Sequence, residues 1–254
     1  MSSSLLQEIK RLFAAIQFFT RLPVPSWVGH SQQQLDAAAR YFPLVGLLVG
    51  GIAALVLWLA WQLWTVPIAL LLSMLSTLLV TGGFHEDGLA DSVDGLGGGL
   101  TRERTLAIMK DSRIGAFGTL ALIGVLALKF ATLSALTVSM AIIALISAHT
   151  LSRFAGVIIM ATLPYVRDDA DSRSKPLVQG ISGTTFAVAV ATAAVAIIPL
   201  GLRGVIASLA ALVGILLWRA YLRSRLGGYT GDYLGAAQQL SEVIFYLTLA
   251  AKMA

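Results

Sequence analysis

The 254-residue sequence contains no cysteine and only three histidines. Without cysteine the chain forms no disulfide bond and offers no thiolate ligand to a metal ion. The histidines, His30, His85 and His149, are far apart along the chain, which disfavours a zinc site built from imidazoles. If the protein binds a metal ion, we therefore expect oxygen ligands.

Charged residues are also scarce, at 12% of the sequence, whereas 57% of the residues are hydrophobic and the mean hydropathy is +0.83. This composition is far from that of a soluble globular protein. Nothing in the sequence indicates a second domain. We predict an all-α polytopic membrane protein in which residues 1–254 form a single integral-membrane catalytic domain.

The apolar runs predict about six to seven transmembrane helices, because a span needs roughly 20 apolar residues. The runs cover residues 42–64, 66–83, 114–160 (two spans), 186–202, 205–218 and 232–251. Residues 5–19 carry apolar side chains on one helical side, which predicts an amphipathic helix at the membrane interface. Arg153 lies in an apolar run and is expected to face the bundle interior, although Arg153 or Lys129 could instead snorkel to the surface.

The basic residues predict the orientation of the bundle. If the spans form hairpins, one face carries Lys10, Arg11, Arg21, Arg40, Arg102, Arg104, Lys110, Arg113, Arg167, Arg173, Lys175, Arg219, Arg223 and Arg225. Only Arg203 and Lys252 fall on the opposite face. By the positive-inside rule the first face is cytoplasmic. The net charge of +5 then reflects topology rather than nucleic-acid binding.

An acidic stretch on the cytoplasmic face is the best candidate for chemistry. Asp87, Asp91 and Asp94 are spaced i, i+4 and i+7, which on a helix places them within roughly 60° of one another. Three carboxylates on one face repel one another unless a cation lies between them, so the spacing predicts a hard divalent metal with oxygen ligands. The alternative is a solvated acidic helix start.

Neighbouring residues add groups suited to phosphate. Gly88 and Gly95 interrupt the acidic stretch, where glycine serves either helix packing or close approach of a ligand. Lys110, Asp111 and Arg113 follow, and Lys and Arg side chains can bind phosphate while an aspartate between them can be a ligand or a base. Asp232, in a second glycine-rich patch, is either a plain N-cap or part of a substrate pocket.

Carboxylates, cations and glycines on the cytoplasmic side fit metal-assisted transfer of a phosphoryl-linked group. Mg²⁺ would neutralise a diphosphate, and a carboxylate could take the proton from an attacking hydroxyl. The residues alone do not identify the alcohol. A cation-coupled transporter is a second reading, but the acids lie at one face and the spans show no inverted repeat.

Four segments carry a resemblance to a known family: residues 18–25 (FFTRLPVP), 82–95 (GGFHEDGLADSVDG), 109–115 (MKDSRIG) and 230–236 (TGDYLGA). Over nearly its whole length the sequence resembles the cobalamin synthase family, the adenosylcobinamide-GDP ribazoletransferases. The Asp-Gly-x-x-Asp core formed by Asp87, Gly88 and Asp91 alone also resembles CDP-alcohol phosphotransferases. The Ala-Arg that follows Asp-Gly in that second family is absent, because Leu89, Ala90 and Asp91 stand there.

The resemblance implies a Mg²⁺-dependent enzyme of the inner membrane. Its substrates would be adenosylcobinamide-GDP and α-ribazole or α-ribazole 5'-phosphate, and GMP would leave. The matching positions imply that Glu86, Asp87, Asp91 and Asp94 bind metal and diphosphate, with Asp111 and Arg113 next in line. The lipid bilayer is the other expected partner, and a homo-oligomer remains an open alternative.

Overall fold

The computed structural model describes residues 3–29, 32–167 and 180–252. This part of the chain is all α-helical apart from short 3-10 turns and one isolated β-bridge between Tyr165 and Tyr229. The helices are α1 (Ser3–Phe19), α2 (Gln32–Ala38), α3 (Phe42–Trp61), α4 (Val66–Thr81), α5 (Phe84–Gly98), α6 (Arg102–Met109), α7 (Ala116–Ser134), α8 (Val138–Thr162), α9 (Gly183–Ile197), α10 (Gly201–Leu226) and α11 (Gly231–Ala250). His30, Arg173 and Lys175 lie outside the described residues.

Among the described residues, four helical segments are long and apolar enough to cross a membrane: Gln34–Trp61, Ala116–Ser134, Val138–Thr162 and Gly183–Leu226. A fifth candidate is the pair of α4 and α5, which is bent by 87°. The sequence predicts six to seven spans, and the difference has physical causes. Helix α11 carries polar residues in its first half, and α9 and α10 count as one run although Gly201, with a φ of 55°, interrupts the α-helix between them.

Helices α3 and α8 pack closely against each other. Gly46 and Gly50 lie on the face of α3 that meets α8, and a Cβ atom at Gly50 would lie 2.8 Å from the Ile146 Cα. A Cβ atom at Gly46 would collide with the His149 carbonyl. Small residues at this spacing let two membrane helices approach until their backbones touch.

The outside of the bundle is apolar over most of its height. Large hydrophobic side chains are exposed on several helices: Leu55, Leu59, Leu71, Leu75, Leu79, Leu120, Ile123, Leu209 and Leu217. A monomeric soluble protein rarely exposes so continuous an apolar surface. The described part of the chain is therefore an all-α membrane protein, as its composition predicts.

Helix α11 packs against α5, α7, α8 and α10 and carries a buried charged group in its middle. The Glu242 carboxylate lies 2.6 Å from the Lys129 Nζ of α7 and 2.7 Å from the His149 Nδ1 of α8. Ser152 donates a hydrogen bond to Glu242 at 3.0 Å, and Arg153 donates to the His149 carbonyl at 2.9 Å. We refer to Lys129, His149, Ser152, Arg153 and Glu242 as the interior polar network.

The interior polar network decides two alternatives that the sequence leaves open. Arg153 is buried and faces the bundle interior, as predicted. Lys129 is also buried and pairs with Glu242, so it does not snorkel to the surface. Burying a cation away from water is costly unless a carboxylate compensates it, and Glu242 provides that charge.

Candidate active site

The candidate site begins where α4 turns into α5. Gly82 and Gly83 each have a φ of 69°, in the left-handed region that favours glycine. The Gly83 N–H donates to the Leu78 carbonyl at 3.0 Å and closes α4, and α5 then leaves at 87°. Helix α5 is about 22 Å long, so it is too short to cross a bilayer core of about 30 Å by itself, and it lies across the direction of α4.

A pocket of about 700 Å³ opens at this junction. Asp87 and Asp91 of α5 line it together with Arg21, which follows α1. The aromatic rings of Phe18 and Phe84 form an apolar wall, with their centroids 5.5 Å apart. The pocket therefore combines two carboxylates, one guanidinium group and an apolar surface.

Asp91 is half-buried at the side of the pocket. Burial and then the nearby Asp87 and Asp232 carboxylates raise the pKa of Asp91 to about 7, against the opposing effect of Arg167. A raised pKa means that the negative charge is unfavourable at this position. A bound cation would reverse that preference, so the electrostatics suit a cation site.

Asp94 does not line this pocket, although it belongs to the same helix. Its carboxylate accepts hydrogen bonds from the N–H groups of Gly115, at 2.7 Å, and Gly118, at 2.8 Å. These N–H groups belong to the start of α7 and have no partner within that helix. The sequence groups Asp94 with the catalytic and metal residues, whereas the structure gives it the role of an N-terminal cap that joins α5 to α7.

Replacing Asp94 by asparagine is expected to lower the free energy of unfolding by about 1–2 kcal/mol, because an amide can accept only one of the two hydrogen bonds well. Turnover should fall as well. Thermal unfolding of the detergent-solubilised protein measures the first effect, with Asp91→Asn as the matched control that should melt like the native protein. An unchanged melting temperature for Asp94→Asn would contradict the capping role.

Glu86, predicted as a metal ligand, points into the bundle. Its Oε1 accepts a hydrogen bond from the Gln239 Nε2 of α11 at 2.8 Å, and its Oε2 is buried with no hydrogen-bond partner among the described residues. Successive helical residues point about 100° apart, so Glu86 and Asp87 face different sides of α5. The grouping of Glu86 with the other acids does not hold in this geometry.

Lys110, Asp111 and Arg113 also lie apart from the pocket of Asp87 and Asp91. The Arg113 Nη2 donates to the Asp111 Oδ2 at 2.6 Å, and the Arg113 side chain is 86% exposed. Hydrogen bonds from Arg113 lower the pKa of Asp111 to about 2. Ser112, between Asp111 and Arg113, does line the pocket, as does Ile114. The predicted catalytic role of Asp111 and phosphate contact of Lys110 and Arg113 gain no support from this placement.

Gly88 and Gly95 serve packing. A Cβ atom at Gly88 would lie 2.8 Å from the Asp232 carbonyl oxygen, and one at Gly95 would lie 2.5 Å from the Met109 Cγ. Protein atoms thus fill the space that a ligand would need. Asp232 lies at the start of α11, and its carboxylate is 3.2 Å from the Arg167 Nη2. Asp232 therefore forms an ion pair with Arg167 near Asp91.

The residues at the pocket suit Mg²⁺ better than they suit a metal ion that is coordinated only by protein side chains. Within the described ranges, no group of three or more His, Asp or Glu side chains is arranged to hold a metal ion. Mg²⁺ does not require such a group, because it usually keeps several waters and binds one or two carboxylates together with substrate phosphates. Asp87 and Asp91 supply two carboxylates at one pocket.

Sequence reasoning misses two parts of this region. Arg167 interacts with both Asp91 and Asp232, yet it lies in a loop far from either acid in sequence. Arg21 lies in the 18–25 segment that carries part of the family resemblance, but no charge pattern there indicates a site. Apart from the resemblance, the one sequence feature that marks Arg21 is its position between Thr20 and two prolines, directly after the predicted first helix.

The fold and the site define a class: a helical membrane protein with an acidic pocket at one end of its bundle. The family described as cobalamin-5-phosphate synthase matches residues 11–250, and the chain belongs to that family. This confirms the family predicted from the sequence.

Curated relatives match along almost the whole chain, and each is described as adenosylcobinamide-GDP ribazoletransferase. The relative from Leptothrix cholodnii is 49% identical and covers 96% of both chains. The relative from Vibrio cholerae is 46% identical over 99% of this chain and 97% of its own, and that from Shewanella frigidimarina is 47% identical over 97% and 96%. No solved structure gives a significant match.

Proposed function

We propose that this protein joins adenosylcobinamide-GDP to α-ribazole or α-ribazole 5'-phosphate, with release of GMP, in the last assembly step of cobalamin biosynthesis. Its family and the printed names of its relatives support the reaction. The observation that carries the proposal is the pocket in which Asp87 and Asp91 face an apolar wall of Phe18 and Phe84. Such a pocket suits a substrate that carries a diphosphate next to large organic groups.

The chemistry is a substitution at phosphorus. A hydroxyl oxygen of the ribazole forms a bond to the phosphorus attached to cobinamide, and the bond from that phosphorus to the oxygen of GMP breaks. The hydroxyl proton passes to a carboxylate of the pocket, and GMP leaves with the electron pair. Asp87 and Asp91, which line the pocket, would position the diphosphate for this in-line displacement through the metal ion that they hold.

Asp87 and Asp91 would hold Mg²⁺ at the pocket. When bound, the ion neutralises charge on the diphosphate and on the leaving phosphate. Support comes from the raised pKa of Asp91, because burial and then the nearby Asp87 and Asp232 carboxylates disfavour its ionisation without a cation.

We further propose that the protein lies in the inner membrane with this pocket on the cytoplasmic side. Segments rich in arginine meet one another at one end of the bundle. Arg102 donates to the Val166 carbonyl at 3.3 Å, and Arg225 donates to the Gly99 carbonyl at 3.0 Å. By the positive-inside rule this end is cytoplasmic. Helices α3, α4, α7, α8, α9, α10 and α11 would then be the six to seven spans, and α1 an amphipathic helix at the interface.

Release of the nucleotide tests the reaction. Purified protein given adenosylcobinamide-GDP and α-ribazole is expected to release GMP with Mg²⁺ and to lose at least about 99% of that rate when EDTA removes the metal. The same protein should release no CMP from a CDP-alcohol and a lipid or sugar alcohol. GMP release that survives EDTA, or CMP release instead, would contradict the proposal.

A further inference from the structure

The segment that follows α1 places a guanidinium group at the acidic pocket. The Arg21 N–H donates to the Val80 carbonyl at 2.7 Å, which fixes this residue against the end of α4. The Thr20 hydroxyl donates to the Ile16 carbonyl at 2.8 Å and ends α1 just before it. The Arg21 side chain then lies over Gly82, where a Cβ atom would collide with the guanidinium. The backbone of Arg21 is thus held from two sides while its side chain reaches the pocket.

Arg21 forms no ion pair with any acid that the structure describes, unlike several other arginines near this end of the bundle. Arg11 and Arg40 pair with Glu8, Arg113 pairs with Asp111, and Arg167 pairs with Asp232. Arg21 is also the only Lys or Arg among the described residues that line the pocket of Asp87 and Asp91. Its charge is therefore available to a ligand.

We propose that Arg21 binds a phosphate oxygen of the nucleotide diphosphate in this pocket. A guanidinium group can donate two parallel hydrogen bonds to one phosphate, which both holds it and fixes its orientation. Arg113, the residue that the sequence favours for this contact, is already paired with Asp111 and lies outside the pocket. Arg21 is thus a substrate-binding residue of the pocket that Asp87 and Asp91 also line, an assignment that rests on the proposed function.

Kinetics of Arg21→Gln test this assignment. We expect the KM for adenosylcobinamide-GDP to rise about 10- to 100-fold, the usual effect of losing a charged hydrogen bond, while the KM for α-ribazole stays within about 3-fold. Inhibition by pyrophosphate with Mg²⁺ should weaken by the same factor. Arg21→Lys should recover part of the loss, because it keeps the charge but not the paired geometry. Arg203→Gln, at the opposite end of the bundle, is the control and should match the native protein.

Chemical modification of the native protein gives a readout that needs neither a variant nor turnover. Phenylglyoxal modifies exposed arginines, and mass spectrometry of the digested protein reports the rate at each of them. Pyrophosphate with Mg²⁺ is expected to slow modification of Arg21 about 5-fold or more and to leave Arg203 unaffected.

Equal rates at Arg21 with and without pyrophosphate, or an unchanged KM in Arg21→Gln, would overturn the assignment of Arg21 while GMP release by the native protein still stands. Protection of Arg21 in a protein that releases no GMP would instead support the phosphate site and reject the proposed reaction. The two failures are therefore distinguishable.

Discussion

Replacing either Asp87 or Asp91 by asparagine is expected to lower kcat about 1,000-fold or more while the protein remains folded in the membrane. Both side chains line the pocket, and an amide keeps their size but removes the charge that binds a cation and a proton. Their loss should leave the fold intact, because Asp91 is in a region where its own charge is unfavourable. GMP release under saturating substrates and Mg²⁺ measures the effect.

The controls for this experiment separate charge at the pocket from charge elsewhere. Glu103→Gln changes an exposed acid of α6, and Arg203→Ala changes a basic residue at the opposite end of the bundle; both variants should retain nearly full turnover. Full turnover of Asp91→Asn with EDTA present would show that the carboxylate and the metal are both dispensable, which contradicts the metal-dependent mechanism.

The second large effect is expected in the bundle interior. Replacing Glu242 by leucine should lower the free energy of unfolding by about 3–5 kcal/mol, because Lys129 would stay buried without its carboxylate and His149 would lose its partner. The Glu242 side chain is 1% exposed and the Lys129 side chain 8%, so solvent screens this pair very little. Thermal or denaturant unfolding in detergent micelles measures the loss.

A double variant identifies the cause of that loss. If the uncompensated Lys129 charge is responsible, Lys129→Met combined with Glu242→Leu should be more stable than Glu242→Leu alone, since neither charge is then buried. Glu103→Leu serves as the matched control on an exposed acid. A Glu242→Leu protein that unfolds like the native one, or a double variant that is less stable than both single variants, would contradict the interior network as a source of stability.

The sequence predicts well what depends on local pattern. The apolar runs predict an all-α membrane protein, and the i, i+4 spacing of Asp87 and Asp91 places both acids at one pocket. The buried position of Arg153 follows from the cost of a charge in lipid. The family also follows from motif residues, and the family match confirms it.

The interior polar network could not be predicted because its members meet only in the folded bundle. Lys129 lies on α7, His149 on α8 and Glu242 on α11, and no pattern in the sequence pairs residues so far apart. In the sequence, Lys129 and Arg153 are both single cations in apolar runs. Lys129 is buried in the bundle because Glu242 lies beside it, and the sequence does not show that proximity.

Side-chain direction explains the remaining differences at the site. Glu86 is adjacent to Asp87 in sequence but points toward Gln239. Asp94 shares a helical face with Asp91, yet N–H groups at the start of α7 donate hydrogen bonds to both Asp94 carboxylate oxygens. Helical spacing fixes the angle between acids but not which neighbouring element each one meets.

Mass spectrometry of the corrinoid product tests the central claim most directly. Purified protein is incubated with adenosylcobinamide-GDP and α-ribazole, with and without Mg²⁺, and the corrinoid is weighed. We predict adenosylcobalamin, which has gained the ribazole and lost GMP, only in the sample with Mg²⁺. Recovery of unchanged adenosylcobinamide-GDP from an intact, folded protein with Mg²⁺ present would contradict the account.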